Sequence, residues 1–193
     1  IAGPTVGRNF ADAGAEVIKI EAVEGDMLRI LLKEYQPGCV HSVEFEVVNL
    51  SKLSVVIDLK TKEGKQKLLK LVAGADVFLT NYRGQALTKL GLDYKSITEK
   101  FPHIIYTQLA AFGRVGPDQN KPGYDIGAFW SATGMSSSII NRQGANSYYP
   151  TGYGDLLTGQ ILFSATMAAL HQRQKAAEKK SGVYERHVET SLL

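Results

Sequence analysis

The stretch Tyr148-Tyr149-Pro150-Thr151-Gly152-Tyr153-Gly154-Asp155-Leu156-Leu157-Thr158-Gly159 concentrates the residue types that could do chemistry. A glycine-rich turn with a proline delivers one carboxylate, Asp155, and an apolar run follows at once. From Leu156 to Gln172 the residues Leu157, Ile161, Leu162, Ala165, Met167, Ala168 and Leu170 recur at helical spacing, which predicts a buried helix. Asp155 is therefore expected where a loop becomes that helix. Free backbone N–H groups and the helix dipole favour a negative charge there, so the carboxylate is expected to stay ionised. Flexible glycines beside it would let it approach an electrophile as a nucleophile. Taken alone, the stretch also fits a plain N-cap, a common place for aspartate.

Composition bounds what such a group could serve. At 193 residues, 44% hydrophobic and 21% charged, the chain reads as a soluble globular domain of ordinary size. A net charge of +3 is too mild to argue for nucleic acid. The single cysteine, Cys39, excludes an internal disulfide and fits a reducing, cytoplasmic setting. His41, His103, His171 and His187 are scattered without metal-ligand spacing, so no metal is expected. No apolar run approaches a membrane span. Both ends, Ile1-Ala2-Gly3-Pro4 and Ser191-Leu192-Leu193, read as cut, so the chain is expected to be a piece of a larger protein.

The elements that must position Asp155 alternate in type. Gly3-Pro4 opens a helix through Phe10 and Ala13, closed by Gly14, and Glu16–Glu21 reads as a strand. A helix and then a strand ending in an acid resemble half of a dinucleotide-binding βαβ unit. However, Gly3, Gly7 and Gly14 do not make the G-x-G-x-x-G fingerprint. Residues 27–47 are expected to be irregular, and Asn49-Leu50-Ser51-Lys52 a turn. Further strands are expected at Leu53–Lys60, Asp76–Thr80, His103–Gln108 and from Val183 onward. Helices are expected after Thr61, before Gly91, over Tyr94–Lys100 and through Phe129-Trp130 to Gly134, and residues 135–150 read as a polar flap. This alternation predicts an α/β fold, a mostly parallel sheet with flanking helices. Ligands of such sheets collect at the carboxyl ends of the strands. Asp58 to Lys60, Asn81 to Arg83 and the loop after Gln108 fall there.

Taken together the segments resemble the family III CoA-transferases (the CaiB/BaiF group). The resemblance rests on Ala2-Gly3-Pro4, Gly14 to Glu21, Gly25-Asp26 with Arg29, Asn49 to Asp58, Ala75-Asp76-Val77, Asn81-Tyr82-Arg83 and Leu90-Gly91-Leu92. It continues through Phe112-Gly113 with Gly116-Pro117, Gly123-Tyr124-Asp125 and Gly154-Asp155. It implies a Rossmann-like large domain, incomplete at both ends. Residues 1–193 would be its N-terminal part, with the small domain and the C-terminal return lying outside the chain. It implies that Asp155 attacks an acyl-CoA thioester. The ligand is then coenzyme A, with contacts mapping onto Ala2, Ile57, Asp58, Leu59, Lys60, Asn81, Tyr82, Arg83, Lys89, Tyr124 and Asp125. Arg83, Lys89 and Lys60 are the candidates for pairing with nucleotide phosphates.

The resemblance further implies an acyl-CoA and a small carboxylic acid as partners, no nucleic acid or membrane, and an interlocked homodimer for the whole protein. Three positions depart from the family pattern. Ile1 stands where formyl-CoA enzymes carry a glutamine. Ala22 stands where some members have a nucleotide-binding arginine, a role Arg29 could replace. Tyr124 stands where the acyl-CoA racemases of the family have a catalytic histidine. The Tyr153-Gly154-Asp155 loop and Tyr148-Tyr149 look most similar to transferases for 2-hydroxy acids. An acyl-CoA racemase and a non-catalytic nucleotide-binding module are the competing readings.

Overall fold

Parallel strands frame the molecule, and among the described residues they fall into two sheets. The computed structural model of the 193-residue chain describes residues 1–29, 42–141, 143–144, 149–150, 152–180 and 182–193. It divides into two compact units, Pro4–Ala75 and Ile1–Gly3 with Asp76–Leu193.

In the first unit, β1 (Ile18–Glu21) pairs in parallel with β2 (Leu53–Val56), Ile18 opposite Leu53 and Glu21 opposite Val56. Around them lie most of α1 (Ala2–Asp12), α2 (Val43–Asn49) and α3 (Lys62–Ala73). Val6, Phe10, Val48, Ile57, Leu68 and Val72 are the buried apolar residues. Two expectations change here. β2 stops at Val56 rather than continuing to Lys60, because the Lys60 N–H donates to Asp58 Oδ1 (2.9 Å) and turns the chain. Thr61 Oγ1 then accepts the Gly64 N–H (3.0 Å) and caps α3. Within the stretch expected to be irregular, α2 is a helix and takes in Asn49, expected in a turn. Ser42 Oγ accepts the Phe45 N–H (3.1 Å), and Glu44 and Glu46 occupy the first turn, where the dipole favours them. Two helical turns are too short to show in periodicity. Residues 30–41, including Cys39 and His41, lie outside the described residues.

The acid at the end of β1 is not left for a ribose. Glu21 is buried, and Arg29 forks onto it with Nε to Oε2 and Nη2 to Oε1, both 2.9 Å. Ser54 Oγ donates to Oε1 (2.7 Å) and the Asp26 N–H to Oε2 (3.2 Å). The Arg29 hydrogen bond, with Ser54 and the Arg29 charge, holds the Glu21 pKa down to about 2. Arg29 also lies over the Phe45 ring, 3.6 Å from its centroid. Its guanidinium is thus an internal partner here, where the sequence offered it as a replacement nucleotide contact.

In the second unit the sheet order is β3-β4-β5, with β3 (Val77–Thr80), β4 (Ile105–Ala110) and β5 (His187–Ser191) all parallel. The central strand β4 is buried from Ile105 to Leu109. Flanking it are α4 (Gly84–Leu90), α5 (Tyr94–Lys100), a π-helical segment (Ile126–Ser131), a single turn α6 (Met135–Ser138) and the long α7 (Tyr153–Glu178). α5 coincides with its expected range. The helix expected through Phe129-Trp130 is present, with π rather than α winding. The expected flap holds α6, and its residues 142 and 145–148 lie outside the described set.

α7 packs on β4 and β5 through a face the apolar spacing did not indicate. Its buried residues are Gly154, Thr158, Gly159, Leu162, Thr166, Ala169 and Ala176. Of the expected stripe, Leu162 alone is buried, while Leu157, Ile161 and Met167 are exposed. Small and hydroxylated residues let the helix approach closely. Thr166 Oγ1 donates to Leu162 O (2.7 Å) and lies 3.2 Å from Thr107 Oγ1 on β4.

Candidate active site

Asp155 reaches its place through the geometry of two glycines. Gly152 has φ +75°, the left-handed region that glycine enters without strain, and it is the N-cap residue of α7. Tyr153, Gly154 and Asp155 are then the first three helical residues. The N-cap reading of Asp155 is thereby replaced: the carboxylate belongs to the first turn and caps nothing. Gly154 is required by contact, since a Cβ there would lie 2.1 Å from Cγ and 2.5 Å from Cβ of Phe129.

The backbone of Asp155 is tied to a second carboxylate. Its N–H donates to Asp125 Oδ1 (2.9 Å), and Trp130 Nε1–H donates to Asp125 Oδ2 (3.1 Å). Asp125 is 5% exposed. Trp130 stacks on Tyr149 at 5.0 Å and 24° and lies tilted against Tyr153 at 5.7 Å. Phe129 meets both Trp130 and Tyr153 edge-on. The nucleophile candidate is therefore half-buried and tied through Asp125 to an aromatic wall.

Burial raises the Asp155 pKa above the ordinary aspartate range. The neighbouring Asp125 carboxylate adds to it. This direction is opposite to the lowering expected from the helix dipole alone. A carboxylate made more basic in this way is a stronger nucleophile once ionised.

Within the same unit, the first three residues lie against two loops. A Cβ on Gly152 would come within 2.9 Å of Ile1 Cδ1, and one on Gly3 within 3.1 Å of Asn81 Cγ. The Ile1–Gly3 segment thus touches the loop that starts α7 and the loop after β3. In the latter, Asn81, Tyr82 and Arg83 are all exposed, as is Lys89. Arg83 precedes α4 and makes no side-chain cap hydrogen bond to it. Ala2 is 4% exposed, so little of it is open to a ligand here. Tyr124 is 78% exposed, whereas its neighbour Asp125 is engaged by the protein. Ile57, Asp58, Leu59 and Lys60 belong to the other unit. There Ile57 is buried, Asp58 faces the Lys60 N–H, and the Lys60 side chain is exposed. Among the described residues no group of three or more His, Cys, Asp and Glu is placed to hold a metal. No described helix is long and apolar enough to cross a membrane.

The family model described as CoA-transferase family III matches residues 1–192. The chain belongs to that family. Among curated relatives, it is 37% identical over 180 residues to (R)-2-hydroxy-4-methylpentanoate CoA-transferase of Clostridioides difficile, covering 92% of this chain and 45% of that protein. It is also 37% identical to cinnamoyl-CoA:phenyllactate CoA-transferase of Clostridium sporogenes, covering 92% and 44%. A crystal structure of a CAIB/BAIF family protein from Brucella suis superposes with a TM-score of 0.85 at 30% identity, over the whole chain and 50% of that structure. The chain thus spans about half the length of the family members it matches, and its fold is theirs.

Sequence reading missed the parts of this site that hold rather than react. Trp130 is the chain's only tryptophan and follows Asp125 by five residues, one turn of a π-helix. That spacing was a usable signal for an internal hydrogen bond. The stacking of Tyr149 on Trp130 had none, because it joins residues brought together by the fold.

Proposed function

We propose that this chain carries the nucleophile and part of the coenzyme A site of a CoA-transferase, with Asp155 as the attacking group. The observation that carries the reading is a half-buried carboxylate in the first turn of α7, at the Gly-Asp position of a family III chain. Asp155 attacks the carbonyl carbon of the donor thioester. The carbon–sulfur bond breaks, leaving an aspartyl acyl anhydride and CoA thiolate. The thiolate attacks the aspartyl carbonyl, releasing the donor's carboxylate and forming an aspartyl-CoA thioester. The acceptor carboxylate then attacks that thioester, giving a second anhydride and thiolate again. Attack of the thiolate on the acceptor's acyl carbon yields the new acyl-CoA and restores Asp155. No net redox change occurs, and protons need not move.

Exposed Arg83 and Lys89 suit the nucleotide phosphates, and Lys60 is assigned the same role. The acceptor is assigned to the 2-hydroxy acids, on the similarity to the two transferases named for such acids. The whole protein is expected to act in the cytoplasm as the interlocked homodimer of the family.

The test is intact-mass spectrometry of the protein from its complete natural coding sequence. It is incubated briefly with 2-hydroxyacyl-CoA and simple acyl-CoA donors, then trapped with hydroxylamine or borohydride and peptide-mapped. A modification confined to Asp155 and absent in Asp155→Asn is expected. No adduct with any donor, together with α-proton exchange into solvent, would overturn the reading in favour of a racemase.

A further inference from the structure

We propose that Asp125 is a positioning residue for Asp155 rather than a ligand of coenzyme A: its buried carboxylate fastens the peptide that carries the nucleophile to the aromatic wall. The role rests on the reading of Asp155 as the attacking group.

Both Asp125 oxygens are committed. Oδ1 accepts the Asp155 N–H at 2.9 Å and Oδ2 accepts the Trp130 indole N–H at 3.1 Å. Each oxygen keeps a further lone pair, but with 5% of the residue exposed little of the carboxylate is open to a substrate group, and displacing either donor would leave a buried N–H unpaired. The neighbouring Tyr124, 78% exposed, is the member of the pair available to a ligand. The two bonds join two segments, with Asp125 30 residues before Asp155 and five before Trp130. Asp125 begins the π-helical turn that holds Trp130, Trp130 stacks on Tyr149, and Asp155 opens α7. Fixing the Asp155 N–H fixes the plane of its preceding peptide, and with it the direction in which the side chain leaves the helix. Attack on a thioester carbonyl tolerates little error in that direction.

The residue type also follows from the geometry. Two donors converge on one side chain, and a carboxylate offers an acceptor to each. An asparagine would turn its own NH2 toward one of them. The arrangement has an electrostatic consequence, since a second negative charge beside Asp155 opposes its ionisation. Among the described residues, the charged side chain acting on Asp155 is Asp125.

The experiment measures, in the complete natural protein, the single-turnover rate of acyl transfer to Asp155 and the Kd for free CoA. The variants are Asp125→Ala, Trp130→Phe and the double variant Asp125→Asn with Trp130→Phe. The double variant removes the indole donor that asparagine could not serve, so it keeps the Asp155 N–H bond without the charge. Circular dichroism checks that each variant folds. For Asp125→Ala the rate is expected to fall about tenfold or more with the CoA Kd changed less than about twofold. The double variant is expected to recover the rate of Trp130→Phe, with the acid limb of its pH–rate profile moved to lower pH. A weaker CoA Kd with an unchanged rate at saturation would overturn the proposal and make Asp125 a ligand. Labelling of Asp125→Ala as fast as wild type, or an unmoved acid limb in the double variant, would also overturn it. Wild-type protein that forms no Asp155 adduct would refute the nucleophile itself, an outcome distinct from either.

Discussion

Burial is the first influence on Asp155, the residue proposed to react. Desolvation and the Asp125 carboxylate raise its pKa, opposite to the direction a helix start would favour. A group whose folded pKa lies above its unfolded value adds stability when protonated and loses that contribution as pH rises through the folded value. At neutral pH the ionised carboxylate is therefore a destabilising group, in keeping with the reactive role proposed for it. Asp155→Asn is expected to abolish the trapped adduct and raise the Tm at pH 7, with the gain shrinking toward pH 4 in thermal melts. An unchanged or lower Tm would count against the burial argument. Gly154 is the second residue whose identity is dictated at this scale. Its missing Cβ is the space that Phe129 Cβ and Cγ occupy, and atoms so close to the backbone cannot swing aside. Gly154→Ala is expected to cost about 1–3 kcal/mol by urea denaturation. It should also slow labelling of Asp155, whose helix start must shift.

At the scale of elements, each of the two sheets has a polar fastening that its apolar pattern did not announce. In the second unit it is the hydroxyl pair of Thr107 and Thr166, which marks the line where α7 meets β4. In the first it is Glu21, held by Arg29, Ser54 and the Asp26 N–H between β1, β2 and the turn that follows. The Glu21 pKa of about 2 lies below its ordinary 4.5. Its contribution to stability is thus complete above the ordinary value and lost as pH falls through the folded one. Urea midpoints measured from about pH 5 down to about pH 2.5 should decline, and Glu21→Gln should flatten that decline while lowering stability at pH 7. Parallel curves for the two proteins would show that Glu21 is not the acid-sensitive group.

For the molecule as a whole, the mild net charge of +3 matters less than where the cations stand. Arg83 and Lys89 are exposed at the carboxyl end of β3 and on the helix after it, at the edge where parallel sheets collect ligands. Arg83→Gln and Lys89→Gln are each expected to weaken CoA binding by about three- to tenfold at low salt, and by less at high salt, since exposed charges are screened. Calorimetry at two ionic strengths checks this, and an effect independent of salt would point to shape rather than charge.

What sequence alone determined is the alternation of strands and helices and the place of the carboxylate proposed to react. β-branched runs bounded by turn residues marked the strands, and Tyr94–Lys100 emerged as a helix with its ends in place. Gly152, Gly154 and Asp155 marked the start of α7 because glycines at a helix entry signal local backbone geometry, which neighbours in sequence control. Tertiary structure decided what those signals could not carry. It set which face of α7 is buried, because close packing on β4 favours threonine and glycine over leucine. It set the partners of Asp125 and Glu21, since a hydrogen bond across 30 residues leaves no periodicity behind. It also set the sign of the Asp155 pKa shift, because desolvation depends on everything packed around a group, whereas a helix dipole depends only on the helix.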